Sequence, residues 1–222
     1  MIAVEARTHR YEINGITVVA DHRGDTDGPP VVFLHGGGQT RHSWGGSARR
    51  LAGRGWHTVT IDARGHGDSD WAPQADYRLR SLAEDVAAVV ESFDRRPVLV
   101  GASMGGLTSI MLEGEVAPGT AVGVVLVDIV PNWSQSGGER IRQFMAERMH
   151  DGFGSLDEVA DAVAAYNPHR PRPDDLEGLK KNLRRRGGRW YWHWDPAFIA
   201  PAFDAPQHAP SEMTDHDELG RW

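Results

Sequence analysis

Apolar and polar positions alternate from Tyr11 to Ala20, broken only at Asn14-Gly15. That dipeptide is the pair a two-residue hairpin turn demands, so Tyr11-Glu12-Ile13 and Ile16-Thr17-Val18-Val19-Ala20 read as two paired strands. A polar loop, Asp21 to Pro30, leads to Val31-Val32-Phe33-Leu34, a continuous apolar run of the kind found in strands buried on both faces. His57-Thr58-Val59-Thr60-Ile61 and Pro97-Val98-Leu99-Val100 read as further strands, and the valine-rich stretch Ala121 to Val130 as another, closed by Asp128 and Pro131. Between them the period changes. Leu82, Val86, Val89, Val90 and Phe93 fall on one helical face, as do Leu107, Ile110 and Met111. Buried strands alternating with amphipathic helices predict an α/β fold: a mostly parallel sheet flanked by helices.

Beyond Pro131 the pattern becomes helical throughout. Ile141, Phe144, Met145 and Met149 make one stripe, Leu156, Val159, Val163 and Tyr166 a second. Leu176, Leu179 and Leu183 suggest a third helix, ending in Arg184-Arg185-Arg186-Gly187-Gly188 with its charge at the favourable end of the dipole. The chain therefore divides into a core over 1–131, an all-helical segment over 132–200 and a short return over 201–222. The helical segment is expected to act as a lid over the carboxyl ends of the strands, where open α/β sheets bind ligands. Its cluster Trp190-Tyr191-Trp192-His193-Trp194 either anchors the lid to the core or lines an apolar pocket.

Composition narrows the function class. The 222 residues carry a formal net charge of −7, which argues against a nucleic-acid partner. No cysteine is present, so neither disulfides nor thiolate metal sites form, and neither His-x-His nor His-x-x-x-His metal spacing occurs. No stretch approaches the ~18 apolar residues that span a bilayer. The expected protein is soluble and cytoplasmic, with a small-molecule partner rather than a membrane or a nucleic acid.

Chemistry concentrates at three strand ends. Gly101-Ala102-Ser103-Met104-Gly105-Gly106 follows a buried strand and opens a helix, in the form G-x-S-x-G. A turn that tight strains the serine and pushes its hydroxyl out above the sheet, with a helix N-terminus behind it. His35-Gly36-Gly37-Gly38-Gln39 ends an earlier strand, and its glycines leave backbone N–H groups open to an oxyanion; the loop lacks the spacing of a nucleotide-binding motif. Asp62-Ala63-Arg64-Gly65-His66-Gly67-Asp68-Ser69 ends a third strand and reads as a tight turn stabilised by its own charges, His66 being structural rather than a base. Trp44 either packs on the glycine loop or lines a pocket.

With these three motifs in order and at strand ends, the chain resembles the α/β-hydrolase superfamily, most closely its lidded group of esterases, enol-lactonases, carbon–carbon bond hydrolases, cofactor-free haloperoxidases and epoxide hydrolases. Epoxide hydrolases carry aspartate where this chain has Ser103. The resemblance covers Tyr11 to Asp128 well and the lid more loosely. It implies that Ser103 attacks a carbonyl to form an acyl-enzyme, that the N–H groups of Met104 and Gly37 hold the oxyanion, that Gly36 and Trp44 border the substrate, and that no cofactor or metal is used. The substrate class would be an ester, lactone or similar activated carbonyl. Such enzymes place an acid and a histidine after two strands that follow the lid. Here only Pro201 to Trp222 follows, with a capped helix start at Ser211 to Leu219, so the sequence reads as a fragment ending before those strands. Asp128 is a substitute acid or a strand-end cap; His193, His208 and His216 are candidate bases without a motif around them. A carbon–carbon bond hydrolase, a haloperoxidase, or a non-catalytic binding protein are the alternatives.

Overall fold

The structure is a computed structural model that describes residues 5–129, 135–169 and 171–199. It forms two compact units, 1–130 and 131–222.

In the first unit, β1 (Arg7–Ile13) and β2 (Ile16–Arg23) pair antiparallel around Asn14 and Gly15, whose φ values of 51° and 77° are those of the hairpin turn the dipeptide announced. β3 (Pro30–Leu34), β4 (His57–Ile61), β5 (Val98–Ala102) and β6 (Gly123–Val127) complete a six-stranded sheet of order β1-β2-β4-β3-β5-β6. β2 meets β4 antiparallel; β4, β3, β5 and β6 are parallel. The register sets Leu34 opposite both Ile61 and Gly101, and Ala102 opposite Val127. The three loops that carry the motifs therefore leave neighbouring strands at their carboxyl ends, which is where a parallel sheet collects its chemistry.

Strand alternation separates two cores. Val32, Leu34, Val59, Ile61 and Leu99 face α2 (Leu79–Val90) and α3 (Met104–Met111), contributing with Val86, Val89 and Met111 to the larger cluster. Val31 and Phe33 face the other way, onto Ala48 of α1 (Gly45–Ala52), with Trp44, Leu51 and Trp56 at the margin. Each fully buried Val or Leu among them is worth about 1.5–3 kcal/mol relative to exposure. The outer strand β6 is different: all five of its residues are exposed, Val125 at 47% and Leu126 at 46%, although they are as apolar as those of β3.

The second unit corrects one expectation. α4 (Gln135–Ala146) and α5 (Leu156–Tyr166) form where the stripes predict helices, although Ile141 is exposed and Met149 lies past the end of α4, and Ser155 caps α5 by accepting the Glu158 N–H. The third helix does not form, so this unit is not all-helical. Residues 177–182 make only 3₁₀ turns, and β7 (Leu183–Arg186) pairs antiparallel with β8 (Arg189–Trp192). Gly187 and Gly188, at φ 53° and 80°, supply a hairpin turn where a helix C-terminus was expected. The hairpin buries Leu183 and Trp192 while Arg185 lies over the Trp190 ring at 5.6 Å. Trp192 and Trp194 stack at 4.9 Å inside this unit's own core, beside Phe153, Met145 and Val159. Residues 201–222, including the helix start at Ser211 to Leu219, lie outside the described residues. No helix among the described residues is long and apolar enough to cross a membrane.

Candidate active site

Ser103 sits between β5 and α3 with φ 47° and ψ −115°, a conformation that L-residues avoid. The flanking glycines make it possible. A Cβ on Gly101 would run into the Gly105 carbonyl, and one on Gly105 would lie 2.7 Å from Leu34 Cβ and closer still to the Leu34 backbone. Helix α3 thus packs its first turn directly on the end of β3, and only residues without side chains permit the approach. The Ser103 N–H donates to Val127 O at 3.1 Å, and Ser103 O accepts from Gly106 N–H and Leu107 N–H at 2.8 and 3.0 Å. The elbow is held at both its strand and its helix side. Met104 follows as the first residue of α3, where amide groups have no partner within the helix.

The glycine loop after β3 lies against this elbow. A Cβ on Gly36 would fall 3.5 Å from Ser103 Cβ and 3.6 Å from Ala102 O. Gly36 to Gln39 forms a turn, closed by Gln39 N–H donating to Gly36 O at 3.1 Å, with Gly38 at φ 73° in the third position. The Gln39 side chain closes it from the other end by accepting the Gly36 N–H at 3.2 Å.

The turn after β4 is tied to other parts of the chain, which corrects the expectation that its charges pair within it. Asp62, fully buried, pairs with the Arg41 guanidinium and accepts the Arg41 N–H at 2.6 Å. Arg41 also reaches Asp21 at 3.1 Å and Asp68 at 2.8 Å, and these carboxylates hold its pKa above the ordinary arginine value against the opposing effect of burial. Arg64 forms a two-pronged pair with Asp85 on α2, at 2.6 and 2.7 Å. Ser69 accepts Val19 N–H at 2.9 Å and donates to Asp62 O at 2.7 Å, and a Cβ on Gly67 would overlap the Asp62 carboxylate. His66 is buried, and its bonds run to the glycine loop and to Arg64.

The remaining candidates are placed as follows. Trp44 packs on Phe33 of β3 at 5.2 Å in the smaller core, with its buried indole N–H lacking a partner among the described residues. Asp128 is exposed at φ 52° immediately after Val127, the residue whose carbonyl receives the Ser103 amide. His193 is buried in the second unit with its ring edge-on to Trp194 at 5.2 Å. His208 and His216 lie outside the described residues. No described residue hydrogen-bonds the Ser103 hydroxyl. Behind the elbow a cavity of about 20 Å³, lined by Leu34, His35, Met104, Gly105 and Thr108 among others, has room for one water and not for a substrate.

A profile described as the alpha/beta hydrolase fold matches residues 29–159. An esterase of Mycobacterium tuberculosis is 34% identical over 177 residues, 75% of this chain and 57% of that protein. The sn-1-specific diacylglycerol lipase of Mus musculus is 35% identical over 201 residues, 85% of this chain and 62% of the other. This chain therefore spans about three fifths of the length of either relative. Among solved structures, an alpha/beta hydrolase from Novosphingobium aromaticivorans superposes with a TM-score of 0.75 at 28% identity, covering 99% of this chain and 78% of that one.

Proposed function

Since the chain belongs to the alpha/beta hydrolase fold family, we propose that it is a serine hydrolase acting through an acyl-enzyme on an ester, lactone or related activated carbonyl of a small, fairly apolar compound. The observation that carries this reading is the strained Ser103, held by Gly101 and Gly105 at the start of α3. Nothing in a merely structural turn calls for a serine in that conformation, whereas a nucleophile that must stand clear of its backbone does.

The Ser103 oxygen adds to the substrate carbonyl while its proton passes to a base. The carbonyl oxygen gains the negative charge, and the Met104 and Gly37 N–H groups stabilise it; the α3 N-terminus adds its positive end. Collapse expels the alcohol, which takes the proton, and leaves the acyl group on Ser103. Water then repeats the sequence and releases the acid. Asp128, one residue past the strand end bonded to Ser103, is the carboxylate proposed to orient the base. Gly36 borders the acyl group. The two named relatives, an esterase and a lipase, support the ester class.

A non-catalytic binding role is the second reading, favoured by the absence of any described hydrogen-bond partner for the Ser103 hydroxyl. A fluorophosphonate probe separates the two. Stoichiometric labelling that Ser103→Ala abolishes supports the hydrolase; no labelling of the folded protein fits either a binding protein or a hydrolase whose base is not assembled in this chain.

A further inference from the structure

The loops after β3 and β4 are joined by two histidines in a reciprocal arrangement. His35, on the first loop, accepts the N–H of Ala63 on the second at 3.0 Å. His66, on the second, accepts the N–H of Gly38 on the first at 3.1 Å. The other nitrogen of each ring faces a carbonyl of its own loop: His35 Nδ1 donates to Gly36 O at 2.8 Å, and His66 Nδ1 donates to Arg64 O at 3.1 Å. A carbonyl only accepts and an amide N–H only donates, so both tautomers follow without assumption. Each ring carries its proton on Nδ1 and leaves Nε2 bare. The rings are buried, with centroids 5.2 Å apart.

We propose that His35 and His66 are positioning residues that aim the Gly37 N–H at the oxyanion formed on Ser103, an inference that rests on the acyl-transfer reading above. The reason lies in the planarity of the peptide group. Gly36 O and Gly37 N–H belong to one trans peptide plane and point in opposite directions. The bonds from His35 Nδ1 and Gln39 N–H to Gly36 O therefore fix where Gly37 N–H points. The next plane, from Gly37 to Gly38, is fixed through its own N–H by His66. Both planes flanking the Gly37 Cα are thus held by imidazoles. Three consecutive glycines have no side chains with which to hold themselves, and an oxyanion donor works only when it is oriented before the charge develops. The loop lies against the nucleophile, with Gly36 next to Ser103 Cβ and Ala102 O, so a small rotation of either plane turns the donor away from the carbonyl oxygen.

The clasp is suited to staying neutral. Burial pushes both imidazoles down, and beside His35 the His66 ring falls to about 3, while Asp62 opposes the shift at His35. A proton on either Nε2 would set two N–H groups against each other.

The test compares wild type with His66→Phe, which keeps a ring but has no acceptor, and with His66→Gln, whose amide oxygen reaches toward the lost acceptor position. The second-order rate of Ser103 labelling by a fluorophosphonate is expected to fall roughly 10–100-fold in His66→Phe, below the full loss of an oxyanion donor, and to recover in part in His66→Gln. Gly38 amide exchange should be slow in wild type and fast in His66→Phe. Imidazole ¹⁵N spectra of wild type should show bare Nε2 in both rings at neutral pH. Labelling of folded His66→Phe at the wild-type rate, or a protonated Nε2 in wild type, overturns the proposal while leaving the hydrolase reading intact. The wild-type spectra carry this test even if the variant does not fold. No labelling of wild type removes the acyl-transfer premise for this chain, and the oxyanion role of the clasp falls with it.

Discussion

Acid should weaken this fold by an amount that its buried histidines set. His22 on β2 is 5% exposed; its Nε2 lies 2.8 Å from the Tyr11 hydroxyl and its Nδ1 2.9 Å from His57 Nε2. The His9 ring is 4.3 Å away, and Arg7 adds positive charge nearby, while Asp21 pulls the other way. Burial first, then His9 and His57, push the His22 pKa from 6.5 down to about 3, and His66 reaches about 3 through burial and His35. Both rings are neutral in the native state and bind a proton when unfolded below pH 6.5. Their contribution is therefore complete above 6.5 and is lost progressively as the pH falls toward 3. Taking the protein from neutrality to about pH 5 removes about 2 kcal/mol per histidine, about 4 kcal/mol for the pair. His35 and His57 are pushed in the same direction and add to the loss. Against a total of about 5–15 kcal/mol for a typical domain, this is a large fraction. Urea unfolding followed by far-UV circular dichroism across that range measures it, and His22→Leu should remove about one proton from the slope. An unfolding midpoint that stays level or rises on acidification would refute the assignment of neutral, buried imidazoles.

Two perturbations probe the elbow and the sheet. Gly105→Ala places a methyl against the Leu34 backbone, so α3 must shift off β3; Ser103 labelling should fall at least tenfold and thermal stability should drop by more than the ~1 kcal/mol typical of point variants. Labelling at the wild-type rate would show that the close approach is not required. On β6, the exposed Val124, Val125, Leu126 and Val127 form an apolar strand whose outer side is unpaired among the described residues. Concentration-dependent self-association of this 222-residue chain is expected by ultracentrifugation, and Val125→Lys should reduce it. A wild-type chain that is monomeric at high concentration would refute this.

The local and periodic features were legible in the sequence because short-range sterics and burial dictate them. Asn14-Gly15 forces its hairpin, Val31 to Leu34 is apolar on both faces because both faces are covered, and the glycines around Ser103 announce a turn too tight for side chains. The helical stripes of α4 and α5 were equally plain. The stripe Leu176, Leu179, Leu183 misled. Its period fits a helix, yet cross-strand burial of Leu183 against Trp192, with Gly187-Gly188 free to turn, outweighs local propensity.

The partners of the charged turn were not legible. Asp62 pairs with Arg41 and Arg64 with Asp85, each 21 residues away, and no local spacing connects them. The same holds for the histidines. The sequence marks His35 and His66 only as members of two turns, with no sign that they face each other's loops. That each accepts an amide from the other's loop follows from the parallel register of β3 and β4, which brings their ends side by side. The sequence by itself determined most of the elements, the tight turn at Ser103 and the family. Tertiary structure decided which polar groups are buried together, because hydrogen bonds between distant segments are selected only once the sheet has set those segments in register.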